Sequence, residues 1–274
     1  MLQVIETELV SKSGSADGGE DRLLAGDAFW AIADGATAKS EQTYGGRSGG
    51  QLVAETIIDV LQSLDPDCTA PEAVAAFDRA VRAAIEASGH DPDALPVDRP
   101  CASVSVYSRR RAEIWRVGDT HFRVDRVAYK GHKRTDEVAA AARSAILHTY
   151  RVAGRDWTSL AGEDPGREAI LPLLRRQSVF MNNPDAGDWA FGAVDGSGRS
   201  DTFLEILDVA GASEIVLCSD GYLDFSGSLA EAEADLAGVL ERDPGLFIES
   251  LQTKGVLPGK TSFDDRSFLR AVAG

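Results

Sequence analysis

The chain has 274 residues, 43% of them hydrophobic, and its 28 Lys and Arg against 44 Asp and Glu give a formal net charge of −16. This apolar content is enough for a folded core, and the acidic balance makes nucleic acid and anionic membranes unfavourable partners. The N-terminus lacks the basic and apolar regions of a signal peptide, and no run of about 18 apolar residues occurs, so we expect a soluble cytoplasmic protein.

The N-terminal part combines strand and helix patterns. Leu2–Val10 alternates as a strand does, and the apolar run 28–33 ends at Asp34-Gly35, as a buried strand entering a turn would. Apolar residues then recur at helical spacing over 50–64. A second helix is predicted to follow the capping box and early proline of residues 69–72.

The middle of the chain changes to strand periodicity. Residues 102–107, 112–117 and 122–127 read as consecutive strands of an antiparallel meander. Residues 135–150 are predicted to be helical. A further helix is expected around 170–174, where Pro172 would kink or shorten it.

The C-terminal part again mixes the two patterns. Strands are predicted at 203–209 and 214–218, a helix at 229–240, a short helical turn near 246–251 and a closing strand at 267–272. Helices inserted between runs of mostly antiparallel strands favour an α+β architecture of several layers. We expect one domain that spans residues 1–274.

Aspartates lie where predicted strands begin or stop. Asp34 and Asp220 each end a strand, while Asp21 and Asp264 each precede one. If these carboxylates converge, cations must neutralise them, and hard oxygen ligands favour Mg²⁺ or Mn²⁺ over zinc. The free carbonyl of Gly35 could be a further ligand. Each Asp-Gly pair taken alone predicts only a turn.

Five segments taken in chain order are more specific. They are Gly19-Glu20-Asp21-Arg22, Ile32-Ala33-Asp34-Gly35, Val117-Gly118-Asp119-Thr120, Leu217-Cys218-Ser219-Asp220-Gly221 and Asp264-Asp265-Arg266-Ser267. In order and rough spacing they resemble the signature segments of the metal-dependent type 2C (PPM) protein phosphatases. Five ordered segments that span nearly the whole chain are hard to explain by chance.

The resemblance implies a four-layer α+β sandwich of two antiparallel sheets flanked by helices, with two Mn²⁺ or Mg²⁺ ions at one end. It implies that Asp34 bridges both metals and that the carbonyl of Gly35 binds one of them. Asp220 and Asp264 would hold the other metal. Asp34 and Asp220 are therefore the predicted catalytic residues.

Four more residues match positions of the family's metal site. Glu20 and Asp21 would act through metal-bound water. Some members bind a weaker third metal, and Asp119 and Asp224 stand at the corresponding positions.

The resemblance also implies the reaction, which is hydrolysis of phosphoserine or phosphothreonine on proteins by a water that bridges the metals. The implied partners are a phosphorylated protein and a cognate serine/threonine kinase, and we expect a monomer. Cysteine-based phosphatase chemistry is disfavoured, because none of the three cysteines stands in a Cys-x5-Arg loop.

The chain departs from the family pattern ahead of the Glu20-Asp21 pair. Many members have an arginine there that grips phosphate with its planar fork, whereas residues 17–19 of this chain are Asp-Gly-Gly and the nearest upstream base is Lys12. Other candidates for that role are Lys39, Arg47 and Arg22. His121 follows Asp119-Thr120 and could be a general acid, but a partly buried or solvated histidine is the favoured interpretation.

Three other functions compete with a protein phosphatase. A small-molecule phosphomonoesterase would use the same site. A non-catalytic pseudophosphatase, acting as a binding or regulatory module, would account for the missing arginine, although the four aspartates are retained. An unrelated acidic cation-binding β protein, in which the Asp-Gly pairs are only turns, would leave Asp224 and the ordered segments unexplained.

Overall fold

The structure, a computed structural model, describes residues 1–15, 18–39, 41–94 and 99–274. Its strands are β1 (Leu2–Val10), β2 (Arg22–Ala25), β3 (Phe29–Gly35), β4 (Ala102–Ser108), β5 (Glu113–Val117), β6 (His121–Val124), β7 (Val127–Tyr129), β8 (Glu205–Asp208), β9 (Glu214–Cys218) and β10 (Arg266–Ala273). Its α-helices are α1 (Gly49–Ser63), α2 (Ala70–Ala87), α3 (Arg134–Val152), α4 (Pro165–Arg176) and α5 (Leu229–Arg242). Within the described ranges, no helix has the length and apolar character needed to cross a membrane.

The strands form two five-stranded antiparallel sheets. One has the order β2-β3-β4-β5-β8 and the other the order β1-β10-β9-β6-β7. Side chains such as Ile32 and Leu217 fill the space between the sheets. Helices α1 and α2 cover the outer face of the first sheet, and α5 lies over the second. This arrangement confirms the predicted α+β fold of two antiparallel sheets flanked by helices.

Local sequence signals explain the positions of α1 and α2. The Ser48 hydroxyl accepts a hydrogen bond from the Gln51 backbone N–H, and the Gln51 side chain accepts one from the Ser48 N–H. Thr69 and Glu72 form the predicted capping box at α2. Such reciprocal caps satisfy backbone donors that a helix leaves unpaired. A capping box of four residues therefore determines where each of these two helices begins.

The predicted three-stranded meander is wrong at its second connection. Strands β4 and β5 pair, but β6 pairs with β9 in the other sheet, so the chain crosses between the sheets at Gly118. Gly118 has a φ of +97°, and a Cβ there would lie 2.2 Å from the Ser103 hydroxyl oxygen. Only glycine allows this sharp crossing. The third predicted strand is also divided, because Asp125 takes a φ of +52° between β6 and β7.

The helical turn predicted near 246–251 is also wrong, since this segment consists of bends. The Asp243 carboxylate accepts hydrogen bonds from the backbone N–H groups of Phe247, Ile248 and Glu249. Leu246 has a φ of +49°. A side-chain carboxylate here replaces the carbonyl partners that a helix would provide.

Helices α3 and α4 pack against each other and against residues 243–256, and we call these three parts the helical cap. Arg143 of α3 holds them together with a side chain that is fully buried. Its guanidinium donates to the Asp164 carboxylate at 2.8 Å and to the carbonyls of Gly245, Leu246 and Gln252. The cap is therefore built around a buried ion pair between Arg143 and Asp164.

Candidate active site

The turn that follows β3 brings Asp34 against the start of α1. A Cβ on Gly35 would lie 2.5 Å from the carbonyl oxygen of Gly50 and 2.7 Å from that of Glu20. Glycine is therefore needed at position 35, and it lets three backbone segments meet beside the half-buried Asp34.

The second sheet brings two more aspartates together in the same way. Asp220 follows β9 and Asp264 precedes β10, which are neighbouring antiparallel strands. A Cβ on Gly221 would lie 2.1 Å from the carbonyl oxygen of Asp265. The two loops are thus in backbone contact at the end of the sheet.

Asp21 joins the two sheets at this end. It is buried, and its carboxylate accepts a hydrogen bond of 2.8 Å from the Ser267 hydroxyl of β10. Ser219 also hydrogen-bonds to it, and the Ser219 hydroxyl oxygen accepts the Ser267 N–H at 2.9 Å. A carboxylate just ahead of β2 is thereby bound to the strand ends of the other sheet.

Asp265 has a structural role that the sequence analysis did not assign. It is buried, and its carboxylate accepts the backbone N–H groups of Lys12 at 2.7 Å and Glu20 at 2.8 Å. Of the adjacent acids 264 and 265, the first faces the open cleft and the second fixes the N-terminal loop.

A cleft of about 450 Å³ lies between the ends of the sheets and the helical cap. Four predicted acids line it, together with the backbone of Gly35: Asp34, Asp119, Asp220 and Asp264. Residues more than 200 positions apart in the sequence therefore share one cavity.

The charges of these acids interact strongly. Burial, followed by the neighbouring charges of Asp21, Asp220, Asp264 and Asp119, raises the pKa of Asp34 well above its usual value. Burial likewise raises the pKa of Asp21 to about 7 and that of Asp220 to about 8, with Asp264 adding to the second shift. Like charges in a low-dielectric cavity favour the protonated form unless cations are present.

Lysines neutralise part of this acidic cluster. The Nζ of Lys254 lies 2.6 Å from an Asp264 oxygen, and that of Lys133 lies 2.8 Å from an Asp119 oxygen. Burial alone would lower the pKa of Lys133, but Asp119 raises it. The Nζ of Lys12 lies 3.3 Å from Glu20. In these ion pairs the carboxylate oxygens bind lysine ammonium groups.

The donor chemistry fits hard divalent cations, which prefer carboxylate and carbonyl oxygens. Across the described ranges, however, no group of three or more His, Cys, Asp or Glu side chains is arranged closely enough to hold a metal ion. Burial and repulsion between separated charges are enough to raise these pKa values, whereas coordination requires the oxygens themselves to converge. The acids meet in one cleft, but their oxygens do not surround a common point.

Solved structures resemble the chain, although no protein-family model matches it and no curated protein matches it significantly. The serine/threonine phosphatase Stp1 from Staphylococcus aureus aligns with 99% of this chain and 96% of its own at 12% identity, with a TM-score of 0.51. A bacterial serine phosphatase aligns over 98% of both chains at 13% identity, with a TM-score of 0.50. The chain has the PPM phosphatase fold.

A third structure of similar size is the catalytic domain of the serine/threonine phosphatase PstP in complex with two manganese ions. It covers 100% of both chains at 16% identity, with a TM-score of 0.49.

Within this PPM fold, two of the predicted site residues have other partners. Asp224 accepts hydrogen bonds from the Ser226 N–H and hydroxyl within its own turn, and it is not among the described residues that line the cleft. Glu20 is buried and accepts a 2.6 Å hydrogen bond from the Ser48 hydroxyl at the start of α1. The predicted third-metal pair is thus represented in the cleft by Asp119 alone.

The predicted phosphate-gripping arginines point elsewhere. Arg22 and Arg47 both bind Glu55 on α1, the second at 3.1 Å. Lys39 lines the cleft. Of residues 17–19, among which the expected arginine is missing, Asp17 lies outside the described residues.

His121 lines the cleft and is partly buried, as the sequence analysis favoured. Its Nδ1 accepts a 3.0 Å hydrogen bond from the Gly131 N–H, and burial lowers its pKa. The ring is therefore neutral at physiological pH.

The raised pKa values of Asp21 and Asp220 predict how pH and metal together affect stability. Between about pH 4 and pH 8, the folded metal-free protein retains protons that the unfolded chain has released, so its stability should fall as pH rises. If cations bind among these acids, they will replace those protons. Scanning fluorimetry should show a larger Mn²⁺-induced rise in melting temperature at about pH 8 than at about pH 5.5. Equal rises at the two pH values would contradict the acidic-cluster interpretation.

Proposed function

We propose that this chain is a metal-dependent phosphatase that hydrolyses phosphoserine and phosphothreonine monoesters on proteins to the free hydroxyl and inorganic phosphate. The observation that carries the proposal is that Asp34, Asp220 and Asp264, from three separate segments, face one cleft. The PPM fold, which the chain shares with serine/threonine phosphatases, supports the same reaction.

Two Mn²⁺ or Mg²⁺ ions would be held by Asp34, the Gly35 carbonyl, Asp220 and Asp264, with Glu20 and Asp21 behind them. Such ions supply Lewis-acid chemistry, which activates water and offsets charge on phosphate oxygens. The lysines must then give up their carboxylate partners. Asp119 is the residue left for a weaker third ion.

The wall of the cleft suits an anionic substrate, although the protein as a whole is strongly acidic. The Lys and Arg residues that line it are Lys39, Arg99, Lys130, Lys133, Arg167, Arg175 and Lys254. Positive side chains in the same cleft as the acids can attract and orient a phosphate group. We propose that residues 1–274 act as one monomeric cytoplasmic domain on proteins phosphorylated by a serine/threonine kinase.

Activity assays test this function. The purified chain with Mn²⁺ should release phosphate from p-nitrophenyl phosphate and from a phosphothreonine peptide, and EDTA should reduce both rates to background because the cations are removed. Turnover that is equal with and without EDTA would contradict a metal-dependent reaction. A preference for the small ester with no activity on the peptide would favour a small-molecule phosphomonoesterase.

The ion pairs in the cleft favour a second candidate, a non-catalytic pseudophosphatase that acts as a binding or regulatory module. In that case Lys254 and Lys133 would permanently take the place of metal ions. Calorimetry separates the two functions, because a pseudophosphatase of this kind binds no Mn²⁺ and the proposed enzyme does.

A further inference from the structure

The PPM fold of this chain lacks the phosphate-gripping arginine ahead of Glu20-Asp21, so another group must orient the phosphate. Lys12, the nearest upstream base, is held by Glu20 at 3.3 Å and Asp265 at 3.5 Å, and it does not line the described part of the cleft. The cleft wall formed by the helical cap carries a better candidate.

Arg167 is in the first turn of α4 and lines the cleft. Its Nη1 donates a 3.0 Å hydrogen bond to the Thr253 carbonyl. Among the described residues it forms no ion pair within 4.0 Å, although it is half-buried. A guanidinium has five N–H donors, and that of Arg167 makes one hydrogen bond to the residues that the structure describes. Burial and the charge of Arg143 also lower its pKa.

The carboxylates of Asp136, Asp164 and Asp264 offset part of the Arg167 charge, although none of them forms an ion pair with it. A partly buried positive charge without a paired anion is costly, and a bound anion would reduce that cost. Arg143, the other arginine of the cap, shows the contrast. Its guanidinium is satisfied by Asp164 and three carbonyls, which makes it a structural residue. Arg167 instead presents free donors to the cavity.

Thr253 connects Arg167 to the acidic end of the cleft. The next residue, Lys254, has its Nζ 2.6 Å from an Asp264 oxygen and 3.4 Å from the Thr37 hydroxyl oxygen. The backbone that accepts from Arg167 therefore also carries the cation nearest to a proposed metal ligand. Both side chains line the cleft that holds the acids, so each faces the cavity in which a phosphate would bind.

We propose that Arg167 and Lys254, supplied by the helical cap, bind the phosphate oxygens of the substrate in place of the missing upstream arginine. The inference rests on the proposed function for the identity of the anion. When a divalent cation takes the Asp264 carboxylate, the Lys254 ammonium loses its partner and becomes available to phosphate. The Arg167 fork can donate two parallel hydrogen bonds to two phosphate oxygens, which a lysine cannot do.

The test measures the binding of inorganic phosphate to the Mn²⁺-loaded protein by calorimetry, and in parallel the hydrolysis of a phosphothreonine peptide. Arg167→Met should weaken phosphate binding and raise KM by about 10- to 100-fold, the range for lost charge-assisted hydrogen bonds. Arg167→Lys should recover part of this loss. Mn²⁺ affinity should stay unchanged, since neither variant alters a proposed metal ligand.

Arg176→Met is the matched control, because Arg176 is an exposed residue at the end of the same helix. It should leave phosphate binding within about twofold of the wild type. Melting temperatures show whether each variant is folded. If Arg167→Met does not fold, the comparison of Arg167→Lys with the wild type still decides the test.

The outcomes separate this inference from the proposed function. Phosphate binding in both Arg167 variants equal to the wild type, or no phosphate binding by the wild type, would overturn the inference. If the wild type then still hydrolyses the peptide, the proposed function stands. A wild-type protein that binds phosphate through Arg167, but hydrolyses neither p-nitrophenyl phosphate nor the phosphothreonine peptide, would contradict the proposed function and support the inference.

Discussion

Asp34→Asn should abolish phosphatase activity and, at the same time, stabilise the metal-free protein. The variant removes the carboxylate expected to bridge both cations, and the loss of such electrostatic stabilisation costs at least about 10² to 10³ in kcat. It also removes a carboxyl group whose pKa is raised by burial and by four neighbouring acids. Asn has nearly the same shape but needs neither a proton nor a cation.

Two measurements check this prediction: the initial rate on a phosphothreonine peptide with Mn²⁺, and the melting temperature in EDTA at about pH 8. The cost of ionising a group whose pKa is raised on folding grows as the pH rises. Asp59→Asn is the control, because Asp59 is an exposed acid on α1. It should change neither value. Undiminished turnover in Asp34→Asn would reject the site assignment, and a lower melting temperature in EDTA would reject the account of its electrostatics.

Arg143→Met should be the most destabilising single change in the helical cap. Met has a similar length, but it leaves the Asp164 carboxylate and three backbone carbonyls without the donors that now satisfy them. Breaking a buried ion pair by removing one partner costs about 3–5 kcal/mol. Because the cap forms one wall of the cleft, kcat/KM should fall as well.

Urea denaturation monitored by tryptophan fluorescence measures this cost, since Trp157 packs in the cap beside Phe247. Arg151→Met changes an exposed residue of the same helix and should alter stability by less than about 0.5 kcal/mol. A free energy of unfolding for Arg143→Met within about 1 kcal/mol of the wild type would show that the cap is held by other contacts.

The helices were predictable because their signals are local. The capping boxes at Ser48 and Thr69 lie within four residues, and the apolar spacing of α1 and α2 can be read from one window. The helix predicted around residues 170–174 is present as α4, but Pro172 does not end it, because α4 continues to Arg176. Such patterns depend only on the chain near each residue.

The division of strands between the sheets was not predictable in the same way. Strand β6 follows β5 directly in the sequence, yet it pairs with β9, nearly a hundred residues later. Alternation reveals which residues form strands, but it does not identify their partners. The sequence signal for the change of sheet was the glycine at position 118. In the structure Gly118 has a positive φ, which permits the crossing between the sheets.

The sequence predicted the acidic residues of the candidate site, but it did not predict the basic residues of the helical cap that line the same cleft. Asp34, Asp220 and Asp264 stand at strand ends, where backbone geometry directs them to one edge, and an ordered set of segments identified them. Arg167 and Lys254 belong to no motif and reach the cleft only through the tertiary packing of the cap. Asp224 matches a family position, but its own turn provides its hydrogen-bond partners.

The proposed role of the chain depends on divalent cations replacing lysine ammonium groups among the buried acids. Calorimetric titration of Mn²⁺ into protein stripped with EDTA tests this most directly. We predict that wild-type protein binds two Mn²⁺ ions per chain and that Asp34→Asn loses this binding. A wild type that releases no heat of binding, or an Asp34→Asn variant that binds Mn²⁺ as the wild type does, would contradict it.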